Sequence, residues 1–128
     1  MGRSNRAMGG ICVTYSAEGG ENVKIGIVIH SNDPETVWNA FRFGNYAVKE
    51  GDEVTVFLLG KGVESEYIDT DVFTITEQMR SFVDSGGAIA ACGSCLKIHQ
   101  LGGSELCPVS TLADLHALVK ENDKIITF

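Results

Sequence analysis

Strand-like and helix-like segments alternate along this chain from Val23 onward, and this alternation constrains the fold more than any other feature. Residues 23–30 and 53–60 are rich in Val, Ile and Leu, as buried strands are. Between them, Asp33 and Pro34 suit the N-cap and first position of a helix. Three further strands are predicted at residues 88–91, 105–109 and 124–128, with helical segments between them.

Strands that alternate with helices at this spacing predict an α/β fold with a parallel sheet. We expect a doubly wound, five-stranded sheet of order 2-1-3-4-5 with helices on both faces, because right-handed crossovers leave few other topologies. Residues 23–128 then form a single domain. Residues 1–22 are rich in Gly and Ser and hold no clear period, so we interpret them as a flexible tail with a short strand near residues 11–15.

The charge distribution and the lengths of the apolar runs indicate which kinds of partner, nucleic acid or membrane, this protein can bind. The formal net charge is −7 and the basic residues do not cluster, which argues against a nucleic-acid surface. No apolar run approaches the roughly 20 residues that cross a bilayer, and the start lacks a secretory-signal pattern. We therefore expect a cytoplasmic protein without a membrane partner.

Two cysteines stand where chemistry is expected in such a sheet. Ligands bind beyond the carboxyl ends of parallel strands, and Cys92 ends the third predicted strand, with Cys95 three residues later. In the order 2-1-3-4-5 the first and third strands are neighbours. This order predicts that Cys92 lies beside His30 and Asn32, which follow the first strand.

The turn after the third strand favours a reactive thiolate at Cys92. A helix that begins there presents unsatisfied N–H groups to the sulfur, and these stabilise its anion. The small residues Gly93 and Ser94 should leave the sulfur accessible, and Cys95 could resolve a persulfide or disulfide on Cys92. Lys97, together with His99, could add positive charge.

Other interpretations of these residues stay open. Cys92, Cys95 and Cys107, with His99, could bind a metal, although the second half of a zinc pattern is missing. A thiol–disulfide exchanger is a further possibility, and all three cysteines could simply be buried. The segment Gly60-Lys61-Gly62 lacks a complete phosphate-loop pattern, so we predict no nucleotide cofactor.

A non-catalytic binding module is the alternative from another functional class. Aromatic and arginine side chains fall outside the apolar stripe of the first predicted helix, as is typical of interfaces. This pattern favours a homo-oligomer. The residues concerned are Trp38, Arg42, Phe43 and Tyr46.

Three segments resemble one known family. Residues 25–40 (IGIVIHSNDPETVWNA), 53–63 (EVTVFLLGKGV) and 91–97 (ACGSCLK) are similar to the DsrE/DsrF-like sulfur-relay proteins, including the YchN-like branch. The similarity runs from residue 23 to residue 128.

The resemblance implies a doubly wound α/β fold, a homotrimer or homohexamer, and a cysteine after the third strand that carries persulfide sulfur. Cys92 matches that carrier, and Cys95 matches a second cysteine found in part of the family. The matching cysteines imply a sulfurtransferase-type relay protein with donor and acceptor protein partners. This chain departs from the family pattern at one place: where relay subunits tend to have Arg-Gly downstream of the cysteine, it has Lys97-Ile98-His99-Gln100.

Overall fold

The computed structural model describes residues 3–8, 11–16 and 22–128. The strands are β1 (Arg3–Met8), β2 (Ile11–Ser16), β3 (Lys24–Ile29), β4 (Glu53–Leu58), β5 (Ala88–Cys92), β6 (Val109–Ser110) and β7 (Lys124–Thr127). The helices are α1 (Pro34–Lys49), α2 (Ile75–Asp84), α3 (Gly93–Ile98) and α4 (Leu112–Glu121). A 3₁₀ helix, Gly60–Tyr67, lies between β4 and α2.

The N-terminal segment contributes a two-stranded antiparallel ribbon, in which Arg3 pairs with Ser16 and Met8 with Ile11. The short strand expected near residues 11–15 corresponds to β2, whereas β1 was not expected. The expectation of a flexible tail concerns a segment of which only these two strand backbones are described, so it stays a prediction.

The remaining five strands form one parallel sheet, which confirms the predicted α/β class. The predicted strand order was wrong. The sheet runs β6-β5-β4-β3-β7, which is 4-3-2-1-5 in the numbering used for the sequence prediction. The chain steps in one direction from β3 to β6, and α4 then returns it to place β7 beside β3. Burial is consistent with this order, because β4 is largely buried whereas β7 is mostly exposed, as suits an edge strand.

Helices cover both faces of the sheet, and two glycines show which face α1, α2 and α4 cover. A Cβ on Gly26 would lie 2.5 Å from Leu118 of α4, so this side of β3 faces α4. The next residue, Ile27, faces the other way, where it and Phe82 of α2 are the nearest side chains to Gly44 of α1.

The main core lies on the α1 and α2 face. Phe41 and Phe82 are fully buried there and meet edge to face, with ring centroids 5.9 Å apart. At the start of α1, the Asp33 carboxylate accepts a hydrogen bond from the Thr36 amide at 2.9 Å, which confirms the predicted N-cap. This cap fixes the point where the chain leaves β3 at the carboxyl edge of the sheet.

Two connections at the carboxyl edge differ from the sequence prediction. The fourth predicted strand, residues 105–109, is replaced by the two-residue strand β6. After β4 the chain forms the 3₁₀ helix, in which Gly60 has a φ of +55° and Gly62 packs directly on the carbonyl of Ile29. These two glycines of the loop therefore serve chain geometry.

None of the helices described is long and apolar enough to cross a bilayer.

Candidate functional site

Cys92 sits where β5 turns into α3, and the local sequence explains the turn. It is the last residue of β5 and the N-cap of α3, with extended backbone angles of −61° and 118°. A Cβ on Gly93 would lie 3.1 Å from Val109 and 3.2 Å from the Ser110 carbonyl. The small residue at position 93 therefore lets β6 approach the turn closely.

The Cys92 side chain is more enclosed than the sequence predicted. It is only 4% exposed, although its small neighbours had suggested an accessible sulfur. Ala91 before it is fully buried, and β4 and β6 flank β5 on both sides. Access to the Cys92 thiol is therefore restricted.

A surface hollow of about 430 Å³ reaches Cys92 between the β5–α3 and β6–α4 turns. Its rim is apolar, since Val109 is 62% exposed and Leu112 is 65% exposed. Its polar side includes Ser110, whose hydroxyl donates a hydrogen bond to the Asp114 carboxylate at 2.6 Å. The complete lining consists of Cys92, Gly93, Ser94, Val109, Ser110, Thr111 and Leu112.

Cys95 lies beside Cys92 and is also a free thiol. Its thiol lies close enough to Cys92 and to the backbone N–H of Gly60 for both groups to affect its pKa. Burial is the largest cause that raises the pKa of Cys95, and the neighbouring Cys92 raises it further. Cys95 therefore holds its proton at neutral pH and can donate a hydrogen bond to the sulfur of Cys92.

A polar chain links the carboxyl edge of β3 to the end of α3. The amide of Asn32 donates to one carboxylate oxygen of Glu64 at 3.0 Å, and Nδ1 of His99 lies 2.7 Å from the other. The hydrogen bond from Asn32, followed by that from His99, holds the pKa of Glu64 below its ordinary value. Glu64 therefore acts as a carboxylate that joins the 3₁₀ helix to both segments.

Sequence reasoning missed Glu64. Nothing in the sequence distinguishes this carboxylate from the other acidic residues, because its partners are 32 and 35 positions away. The only available signal was its place in the loop that follows a strand at the carboxyl edge.

The prediction that Cys92 lies beside His30 and Asn32 was wrong. Since β4 lies between β3 and β5, Cys92 is not on a strand adjacent to the one that His30 follows. His30 is exposed, whereas Asn32 reaches α3 indirectly through Glu64. Lys97 is exposed on α3, and the His99 ring is engaged by the Glu64 carboxylate.

Cys107 is buried beside two part-buried polar residues, Ser104 and Glu66. Its backbone N–H donates to the Ser104 hydroxyl at 3.0 Å, and that hydroxyl donates to Glu66 at 2.7 Å. Burial, with the nearby Glu66 carboxylate, raises the pKa of Cys107 to about 12. The thiol is 4% exposed, which confirms its expected burial. Cys12 lies in the segment whose side chains are outside the described part of the chain.

The metal alternative receives no support from this arrangement. Within residues 22–128, no group of three or more His, Cys, Asp or Glu side chains is placed to hold a metal ion. Cys107, one of its three thiol ligands, instead lies against Glu66 and Ser104.

Comparison with known proteins identifies the family. The sequence model of the DsrE/DsrF-like family matches residues 23–128. The chain belongs to this family. Its similarity therefore covers the whole domain that holds the two thiols, the hollow and the polar chain.

Two relatives with curated sequences are both named uncharacterized proteins. One, from Methanocaldococcus jannaschii, is 34% identical over 100 residues, which cover 73% of this chain and 88% of the relative. Another, from Methanopyrus kandleri, is 31% identical over 117 residues, covering 84% of this chain and 97% of the relative.

Two solved structures share the fold. The E. coli ychN protein superposes with a TM-score of 0.73 at 14% identity, covering 84% of this chain and all of that one. A conserved protein of unknown function from Bacteroides thetaiotaomicron gives a TM-score of 0.68 at 19% identity, covering 82% of this chain and 94% of that one. These two likenesses show the shared fold.

Proposed function

We propose that this protein is a sulfurtransferase-type sulfur-relay protein that carries sulfane sulfur as a persulfide on Cys92, assisted by Cys95. The observation that carries the proposal is the pair of free thiols at the β5–α3 turn, with Cys92 lining an open hollow. Membership of a family associated with sulfur relay supports it.

The loading step is an exchange at sulfur. The Cys92 thiolate attacks the outer sulfur of a donor persulfide or polysulfide, and a new sulfur–sulfur bond forms on Cys92. The bond between that sulfur and the donor breaks, and the donor leaves as a thiolate. Electrons balance without any cofactor, because one sulfur–sulfur bond replaces another.

Cys95 supports this step as a hydrogen-bond donor. Burial keeps its thiol protonated, and the thiol lies beside the Cys92 sulfur, which carries the negative charge before transfer. Hydrogen bonds to an anionic acceptor are stronger than those between neutral groups. Cys95 is therefore expected to stabilise the Cys92 thiolate.

The hollow provides the route by which donor and acceptor proteins approach. Val109 and Leu112 form an exposed apolar rim above the buried Cys92 sulfur. A partner cysteine carried on a narrow segment fits such an opening better than a flat protein surface does. Ser94 and Thr111 contribute hydroxyl groups along the same path.

Assembly and location complete the proposal. Phe43 and Tyr46 are 38% and 58% exposed on α1, and Arg42 lies 4.5 Å above the Trp38 ring. This surface suits a contact between subunits of a homotrimer or homohexamer. The reducing cytoplasm would keep Cys92 and Cys95 available as thiols.

Intact-mass analysis after incubation with polysulfide tests the carrier role. The wild type should gain about 32 Da per sulfur atom, and a reducing agent should remove the gain. Cys92→Ser should lose this adduct, while Cys107→Ser, which changes the separate buried thiol, should retain it. No adduct on any variant, with free thiols confirmed by alkylation, would refute persulfide carriage.

The non-catalytic binding module is the second candidate, and the exposed aromatic surface of α1 favours it. It predicts that Cys92→Ser and Cys95→Ser leave partner binding unchanged. A donor or acceptor that binds the wild type but not Cys92→Ser would argue against this candidate.

A further inference from the structure

We propose that Cys95 discharges the sulfane sulfur from Cys92 as sulfide, and that the two cysteines close to an intramolecular disulfide. This proposal rests on the persulfide carriage proposed above. It adds an activity to it, the reductive release of sulfide in place of transfer to another protein.

The spacing of the two cysteines suits a disulfide. Cys92 is the N-cap of α3 and Cys95 lies three residues later, where helix geometry places the two Cα atoms roughly 5 Å apart. Disulfides span Cα separations of roughly 4.4–6.8 Å. Both thiols are free, and this Cα separation already lies within the disulfide range, so closure needs little movement of the backbone.

The discharge step balances without another reactant. The Cys95 sulfur attacks Sγ of Cys92, which is the inner sulfur of the persulfide. The bond from that Sγ to the outer sulfur breaks, and the outer sulfur leaves with the electron pair and the Cys95 proton as HS⁻. The sulfane sulfur is reduced by two electrons, and the two cysteine sulfurs are oxidised to the disulfide.

The 3₁₀ helix supplies support for the attacking sulfur. The backbone N–H of Gly60 acts to lower the pKa of the Cys95 thiol, because it favours negative charge on the sulfur as the proton leaves. Four residues later, Glu64 contacts His99, which lies one helical turn beyond Cys95. The same segment therefore touches α3 beside the reacting thiol and again at its end.

Cys107 is a poor substitute for Cys95 in this step. Its thiol lies beside Glu66 and Ser104, and it precedes β6 in the chain instead of lying in the β5–α3 turn that holds Cys92. Cys95 shares the β5–α3 turn with Cys92 and is therefore the thiol assigned to the attack, and Cys107→Ser is a matched control.

The experiment follows a single turnover under anaerobic conditions. Wild type, Cys95→Ser and Cys107→Ser are loaded with polysulfide, freed of excess reagent, and sampled over time without reductant. The wild type and Cys107→Ser should lose the adduct of about 32 Da, release one equivalent of sulfide, and end about 2 Da lighter than the reduced protein. Peptide mapping should locate the new disulfide between Cys92 and Cys95.

Cys95→Ser should keep its adduct and release sulfide at least about tenfold more slowly. If the wild type retains its adduct as long as Cys95→Ser and never loses the 2 Da, the discharge proposal fails while persulfide carriage stands. If neither protein acquires an adduct, persulfide carriage fails and the discharge proposal fails with it.

Discussion

Replacing Gly62 by alanine should destabilise the protein strongly, because this residue holds the 3₁₀ helix against β3. A Cβ at position 62 would lie 1.9 Å from the carbonyl oxygen of Ile29 and 2.7 Å from its carbonyl carbon. Real Cβ contacts almost never fall below 3.0 Å, so the two segments would have to separate by at least about 1.1 Å.

The cost follows from what lies at the contact. The obstacle is backbone, which cannot rotate away, and the Ile29 carbonyl also accepts a hydrogen bond from the Leu59 N–H at 2.9 Å. Overpacking costs about 1–3 kcal/mol, and an orphaned buried N–H group costs about 1–3 kcal/mol. We expect Gly62→Ala to lower the free energy of unfolding by about 3 kcal/mol.

Urea unfolding followed by fluorescence measures this loss. Trp38 is the single tryptophan and packs edge to face on Phe73, so its emission reports tertiary structure. Several protein concentrations should be compared, because an oligomer makes the midpoint concentration-dependent.

Gly102→Ala is the matched control, since a Cβ there would meet no atom within 4 Å. It should change the free energy of unfolding by less than about 0.5 kcal/mol. The reasoning is refuted if Gly62→Ala unfolds within about 0.5 kcal/mol of the wild type at an unchanged m-value.

Three further predictions concern acid stability, thiol reactivity and assembly. Because the pKa of Glu64 is lowered in the folded state, its contribution to stability is present above pH 4.5 and is lost as pH falls through the lowered value. In Glu64→Gln the free energy of unfolding should fall less steeply with decreasing pH than in the wild type, by less than about 1 kcal/mol because the carboxylate is partly exposed. Urea unfolding at a series of acidic pH values measures this, and the same pH dependence in both proteins would contradict it. Alkylation of the folded protein at pH 8 should label Cys107 last, because its thiol is buried and its pKa is raised to about 12. Peptide mapping measures the order of labelling, and labelling of Cys107 before Cys95 would contradict the described burial. If the proposed homo-oligomer uses the α1 surface, Tyr46→Asp should lower its sedimentation coefficient while changing subunit stability by less than about 0.5 kcal/mol, because Tyr46 is 58% exposed. An unchanged coefficient contradicts the proposed use of this surface.

Local signals in the sequence determined most of the elements of the parallel sheet and its helices, although not β6 or the 3₁₀ helix. The alternation of apolar strand runs with helical stripes indicated the α/β class, and Asp33 with Pro34 indicated the start of α1. These features act over a few residues, where propensity and capping chemistry operate. The same local logic placed Cys92 at the end of β5 and Cys95 inside the following helix.

Long-range packing alone decided the strand order and the surroundings of the thiols. Patterns of apolar residues are equally compatible with 2-1-3-4-5 and 4-3-2-1-5, so the separation of His30 from Cys92 by β4 was not predictable. The junction of Asn32, Glu64 and His99 likewise depends on contacts across more than thirty residues. Sequence periodicity indicates which side of a helix or strand is buried, but the packing of complete elements determines which elements are neighbours in space. The chemistry of Cys92 depends on those neighbours.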